Sequence, residues 1–138
     1  MSQLDPKVMT VRGPVAPAEL GLTSLHEHIL CDLSACYRDR FRKILPAEME
    51  MPDGPFGLEE RSTLRHAMLL SSSNLRLDDE RVMTAEVADF AAAGGGAIVE
   101  TGSPGIRTGD DVMAFARMSQ ATGAHIVACT GLYAEDSW

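Results

Sequence analysis

Two histidines separated by a single residue, His26 and His28 in the run Leu25-His26-Glu27-His28-Ile29, are the pair in this sequence best suited to hold a metal ion. Residues i and i+2 of a β-strand project from one face about 7 Å apart, so both imidazoles can converge on one ion. On a helix the same spacing would turn them away from each other. Neutral imidazole is the commonest side-chain ligand for zinc and also suits manganese, cobalt and iron. On spacing alone, a metal pair competes with histidines satisfied by hydrogen bonds in a core or at a surface. A catalytic zinc normally takes three protein ligands and a water, so two histidines are an incomplete set. His66 and His125 are of the right type, but His66 falls in an irregular stretch and His125 opens a later strand, at the end away from the pair. Glu27 alternates to the opposite face, toward packing or a helix.

A second polar residue stands out because of its surroundings. Glu100 closes the apolar run Ala97-Ile98-Val99. A buried carboxylate is costly unless it is partnered, and Arg107, a backbone amide or a metal-bound histidine would each serve. Support of a metal ligand and a structural ion pair are both open for it. Cys31, Cys36 and Cys129 are odd in number and lack C-x-x-C spacing, so reduced thiols are expected, with Cys129 packing as a small hydrophobe. Gly102, Gly105 and Gly131 follow strand ends and suit turns, but they do not make a phosphate-binding fingerprint.

The elements that must position these groups follow from periodicity. Residues 8–11 alternate weakly and run into Gly13-Pro14, which predicts a short strand or hairpin arm. Residues 22–30, bounded by Gly21 and Asp32, read as a buried strand carrying the histidine pair. From 35 to 74 the pattern breaks down around Pro46, Pro52, Gly54, Pro55 and Gly57, with one helical stretch predicted over 61–70; a lid and a surface insertion are equally consistent with it. Asp78, Asp79 and Glu80 open a helix whose Met83, Val87 and Phe90 recur at helical spacing up to a stop at Gly94. A strand at 97–101 follows. Asp110 and Asp111 then open a second helix, with Val112, Phe115 and Ala116 expected on one face, closing near Gly123 before a third strand at 124–130. Alternation of strand and helix predicts an α/β fold with a parallel sheet, because parallel neighbours need a crossover between them.

Composition sets the limits on partners. The 138 residues carry a net charge of −8, which repels phosphate backbones and anionic lipid headgroups and argues against nucleic acid and membrane partners. No run of about 18 apolar residues is present, and the start lacks the basic-then-apolar layout of a secretory signal, so a soluble cytoplasmic protein is expected.

Two groups of segments resemble the phosphotriesterase-like branch of the amidohydrolase superfamily. The first is Arg12-Gly13-Pro14-Val15 with Glu19-Leu20-Gly21-Leu22 and His26-Glu27-His28. The second is Ala97-Ile98-Val99-Glu100 with His125-Ile126-Val127-Ala128-Cys129-Thr130-Gly131-Leu132-Tyr133. The resemblance implies that residues 1–138 are the first three βα units of a (β/α)8 TIM-type barrel with an N-terminal hairpin arm. It implies a centre of two divalent ions, zinc foremost with manganese, cobalt and iron as alternatives, for which His26 and His28 match the first-strand ligands. Tyr133 matches an aromatic position at the substrate pocket. The implied activity is hydrolysis of a small-molecule ester (phosphotriester, lactone or carboxylic ester) by a metal-activated hydroxide, and a homodimer is a further expectation for the full-length form.

The remaining ligands of such a centre, a bridging carboxylated lysine or glutamate, two histidines and a proton-accepting aspartate, belong to later strands than those before Trp138. Lys7 and Lys43 do not stand on a strand beside the histidines, so the expectation is a fragment of a longer hydrolase. The rival readings are a non-catalytic remnant or interaction module that has lost the metal centre, and a nucleotide-binding α/β protein. The latter needs a glycine-rich loop after the first strand, and Cys31-Asp32-Leu33-Ser34 is not one.

Overall fold

The computed structural model describes residues 5–34, 57–59, 61–66, 73–107 and 111–131. Tyr133, and most of the irregular stretch at 35–74 with its lid or insertion readings, lie outside the described residues. Of the helix expected over 61–70, α1 (Arg61–His66) is described. The strands are β1 (Val8–Thr10), β2 (Gly13–Val15), β3 (Leu22–Glu27), β4 (Cys31–Asp32), β5 (Arg76–Leu77), β6 (Gly95–Glu100) and β7 (His125–Ala128); the longer helices are α2 (Glu80–Ala92) and α3 (Asp111–Thr122).

The central sheet has the parallel order β3-β6-β7, with α2 crossing from β4–β5 to β6 and α3 from β6 to β7. Its core is built from Ile98 and Ile126 of the sheet, Val87 of α2, and Ala114, Phe115 and Met118 of α3, joined by Ile29 and Leu30 from the segment after β3. Met83 and Phe90 pack against this cluster at the expected helical spacing. On α3 the expected face is rotated. Phe115 is fully buried, but Ala114 and Met118 flank it, while Val112 is half exposed. Ala114 and Met118 both lie to one side of Phe115 around the helix and Val112 to the other, so the buried stripe moves away from it.

Asp79 starts α2. Its side chain accepts from the backbone amides of Arg81 and Val82 at 2.9 and 3.0 Å, satisfying two donors that the first turn leaves without intrahelical partners. Asp79→Ala is therefore expected to lower stability by about 1 kcal/mol, read as a shift in the urea midpoint without a change in slope. Gly94, at φ +97°, ends the α2 unit in a conformation that a side chain disfavours.

The β1–β2 hairpin, held by antiparallel pairing and by the Thr10 hydroxyl donating to the Gly13 carbonyl, sits at the N-terminal ends of the sheet strands. There the Val11 amide donates to the Ile126 carbonyl at 2.9 Å. The opposite, C-terminal end of the sheet is where β3 delivers the histidines and β6 delivers Glu100.

Candidate metal centre

The strand expected over 22–30 leaves the sheet earlier, at Glu27. The Glu27 carbonyl accepts both the Thr101 amide (2.8 Å), the last rung of its ladder with β6, and the Thr101 hydroxyl (3.1 Å). The pairing also slips on the way: Ser24 lies opposite Ile98 and Glu27 opposite Glu100, so three steps along β3 match two along β6. This is a bulge, which re-aims side chains. One result is that the Ser24 hydroxyl reaches the Glu27 carboxylate at 2.5 Å, a contact that unbroken alternation would put on opposite faces.

Across the bulge, His26 and His28 keep their common side. Their rings meet edge to face, with centroids 5.7 Å apart, as the i, i+2 spacing predicts. His26 is exposed and His28 is partly buried. Burial lowers the pKa of His28, the charge of His26 adds to the fall, and Glu27 opposes it, a shift toward the neutral form that metal ligation requires. After His28 the chain is fixed. Ile29 and Leu30 are buried, and β4 pairs with β5 in a two-residue antiparallel ladder joined by Arg76 and Asp32 at 3.1 Å.

Glu100 is fully buried at the end of the central strand. Of the partners open to it in the sequence, the backbone amide is present: the Gly102 amide donates to its Oε1 at 2.8 Å. His28 Nδ1 lies 4.0 Å from the same oxygen. Arg107 instead donates to the Cys129 carbonyl at 3.1 Å. His125 opens β7, at the N-terminal end of the sheet, and so stays apart from the pair. The backbone of His66 closes α1.

The residues present fit a divalent metal in part. Two imidazoles converge, and the buried Nδ1 of His28 has no hydrogen-bond partner among the described residues. Among those residues no group of three or more His, Cys, Asp or Glu side chains is disposed to hold an ion. Residues contributed from outside the described set would have to complete it. On the side of β3 facing α2, a cleft of about 500 Å³ is lined by Ser24, Glu27, Met83, Glu86 and Phe90. The cleft was not legible in the sequence, because it depends on how α2 packs against β3, and among backbone amides open to Glu100 the sequence did not single out that of Gly102. Cys31 is buried, and burial raises its thiol pKa, consistent with a reduced packing residue.

A parallel sheet crossed by helices, with a hairpin at its N-terminal end and the imidazole pair at its C-terminal end, is the arrangement of the opening strands of an α/β barrel. The model of the phosphotriesterase family matches residues 6–138, and the chain belongs to that family. It is 36% identical to the N-acetyltaurine hydrolase of Tetraodon nigroviridis over 137 residues, covering 98% of this chain and 37% of that protein. It is 32% identical to the human N-acetyltaurine hydrolase, again covering 98% of this chain and 37% of the relative. Among solved structures, a resiniferatoxin-binding protein from Rhodobacter sphaeroides superposes with a TM-score of 0.82 at 34% identity, over 96% of this chain and 36% of that one. A lactonase from Listeria monocytogenes superposes with a TM-score of 0.60 at 27% identity, over 96% of this chain and 30% of that chain. The sequence thus spans little more than a third of the length of the curated relatives it matches. Among the described residues, no helix is long and apolar enough to cross a membrane.

Proposed function

We propose that the full-length protein is a metal-dependent hydrolase of ester- or amide-type bonds, with His26 and His28 as two ligands of a divalent centre, zinc foremost. The observation that carries this reading is the convergent imidazole pair at the C-terminal end of β3, within a chain of the phosphotriesterase family. Relatives named as an N-acetyltaurine hydrolase and a lactonase support cleavage of a polarised carbonyl and widen the ester expectation to amides.

The chain's own residues bind and orient. The slip of β3 against β6 aims the pair, burial shifts His28 toward its neutral form, and the pinned segment after Leu30 fixes its backbone. When bound, a divalent ion supplies Lewis acidity and brings the pKa of water toward neutrality. In the same reading Tyr133 borders the substrate pocket, and the full-length form is a cytoplasmic homodimer.

The test uses the full-length protein with a phosphotriester, a lactone and an N-acyl amide as substrates. Chelation should abolish turnover of at least one of them, and zinc, manganese or cobalt should restore it. Turnover indifferent to chelation would overturn the metal reading. A metal-free protein inert toward all three even after metal addition would favour a remnant without catalysis.

A further inference from the structure

We propose that Glu100 is a positioning residue that accepts the Nδ1–H of His28 and so leaves Nε2 as the metal-facing nitrogen, with Gly102 providing the space that the carboxylate needs to reach it; this rests on the metal reading above. The geometry has three parts. Glu100 is fully buried at the end of the central strand, and its Oε1 lies 4.0 Å from His28 Nδ1. His28 Nδ1 is itself buried and has no hydrogen-bond partner among the described residues. The carboxylate already turns back on the chain to accept the Gly102 amide at 2.8 Å, which anchors Oε1 beside the imidazole.

Gly102 makes that turn sterically feasible. A Cβ on Gly102 would lie 2.5 Å from Glu100 Oε1 and 3.4 Å from Arg107 Cγ, so any side chain there pushes the carboxylate off its position. A hydrogen bond spans about 2.9 Å, so closing the gap takes a movement of roughly 1 Å, and such bonds are often long before a site is loaded. The reason for a buried acid at this position is then specific. An imidazole whose Nδ1–H is held by a carboxylate has one tautomer, one ring orientation and a more basic Nε2.

The alternative is that Glu100 merely satisfies the Gly102 amide. Glu100→Gln separates the two roles, because the glutamine oxygen still accepts from Gly102 while its hold on His28 Nδ1–H falls from a charge-assisted hydrogen bond to a weaker neutral one. Gly102→Ala supplies the complementary case, keeping the carboxylate but displacing it. Both variants are made in the full-length protein, and two quantities are read: zinc affinity by chelator competition, and the His28 tautomer in the metal-free form from ring ¹⁵N shifts. Each variant is expected to bind zinc about 10- to 100-fold more weakly and to show mixed His28 tautomers, against a single Nδ1–H tautomer in the parent. Parental affinity and tautomer in Glu100→Gln would overturn the proposal, as would mixed tautomers in the parent. A parent that binds no zinc, yet holds His28 in one tautomer that Glu100→Gln releases, would sink the metal reading while sustaining the Glu100–His28 contact.

Discussion

Replacing His26 and His28 together by alanine in the full-length protein is expected to reduce metal-dependent turnover by on the order of 10³-fold. Residues that only orient a ligand typically account for 10- to 100-fold, and losing the ligands themselves removes the site they orient. Each single substitution should approach the double in effect, because a centre that has lost one donor no longer holds its ion in a working geometry. Folding should be affected little: His26 is exposed and His28 only partly buried, and neither belongs to the apolar core. The checks are metal content by elemental analysis, kcat/KM with and without added zinc, and the thermal midpoint of the metal-free forms. An unchanged kcat/KM in the double variant would remove both residues from the ligand set.

The second large effect is on folding. A Cβ on Gly96 would fall 2.2 Å from the Leu20 carbonyl oxygen, 3.1 Å from its carbon and 3.3 Å from the Gly21 Cα. All three are backbone atoms, so no rotamer relieves the clash and the Leu20–Gly21 segment that leads into β3 must move away from β6. Gly96→Ala is expected to cost about 3 kcal/mol or more, at the top of the range for overpacking. Gly95→Ala makes an instructive comparison. Its Cβ would meet the Phe90 ring at 2.3 Å, a side chain that can rotate, so a cost nearer 1 to 2 kcal/mol is expected. Urea unfolding of both variants ranks them, and equal midpoints would show that the β3–β6 approach is softer than its geometry indicates. Because β3 carries the histidines, Gly96→Ala should also loosen metal binding, whereas Gly95→Ala should not.

Much of this fold is written in apolar periodicity. Met83, Val87 and Phe90 mark the inner face of α2, and Ala97-Ile98-Val99 marks the central strand, because a buried stripe or a doubly covered strand leaves a local signature. The paired histidines were legible for the same reason: their two-residue period survives the bulge in which His26 sits. What was not legible depends on partners distant in sequence. The strand ends at Glu27, whose carbonyl takes the last rung from the Thr101 amide just past β6, so His28 stands one residue beyond the ladder, and nothing near residue 27 encodes that. The slip between Ser24 and Glu27 exists only in the register with β6. Val112 lost its expected place to Ala114 and Met118, since the sheet, and not the helix alone, decides which stripe it accepts. Glu100 stands out in the sequence as a buried acid in need of a partner, but whether the Gly102 amide or Arg107 reaches it is decided by the fold, which turns Arg107 to the Cys129 carbonyl.

The two-residue ladder of Cys31–Asp32 with Arg76–Leu77 gives this arrangement a modular consequence. It works as a clasp: whatever chain runs between its halves departs from and returns to one point, three residues past His28. Lengthening a tethered loop costs only about 0.6 kcal/mol per doubling, so insertions or grafts there are cheap so long as the clasp holds. The pairing thus ties residues 31–32 to residues 76–77 at a fixed distance along the chain from His28, so the length of what lies between is set apart from where the two strands meet.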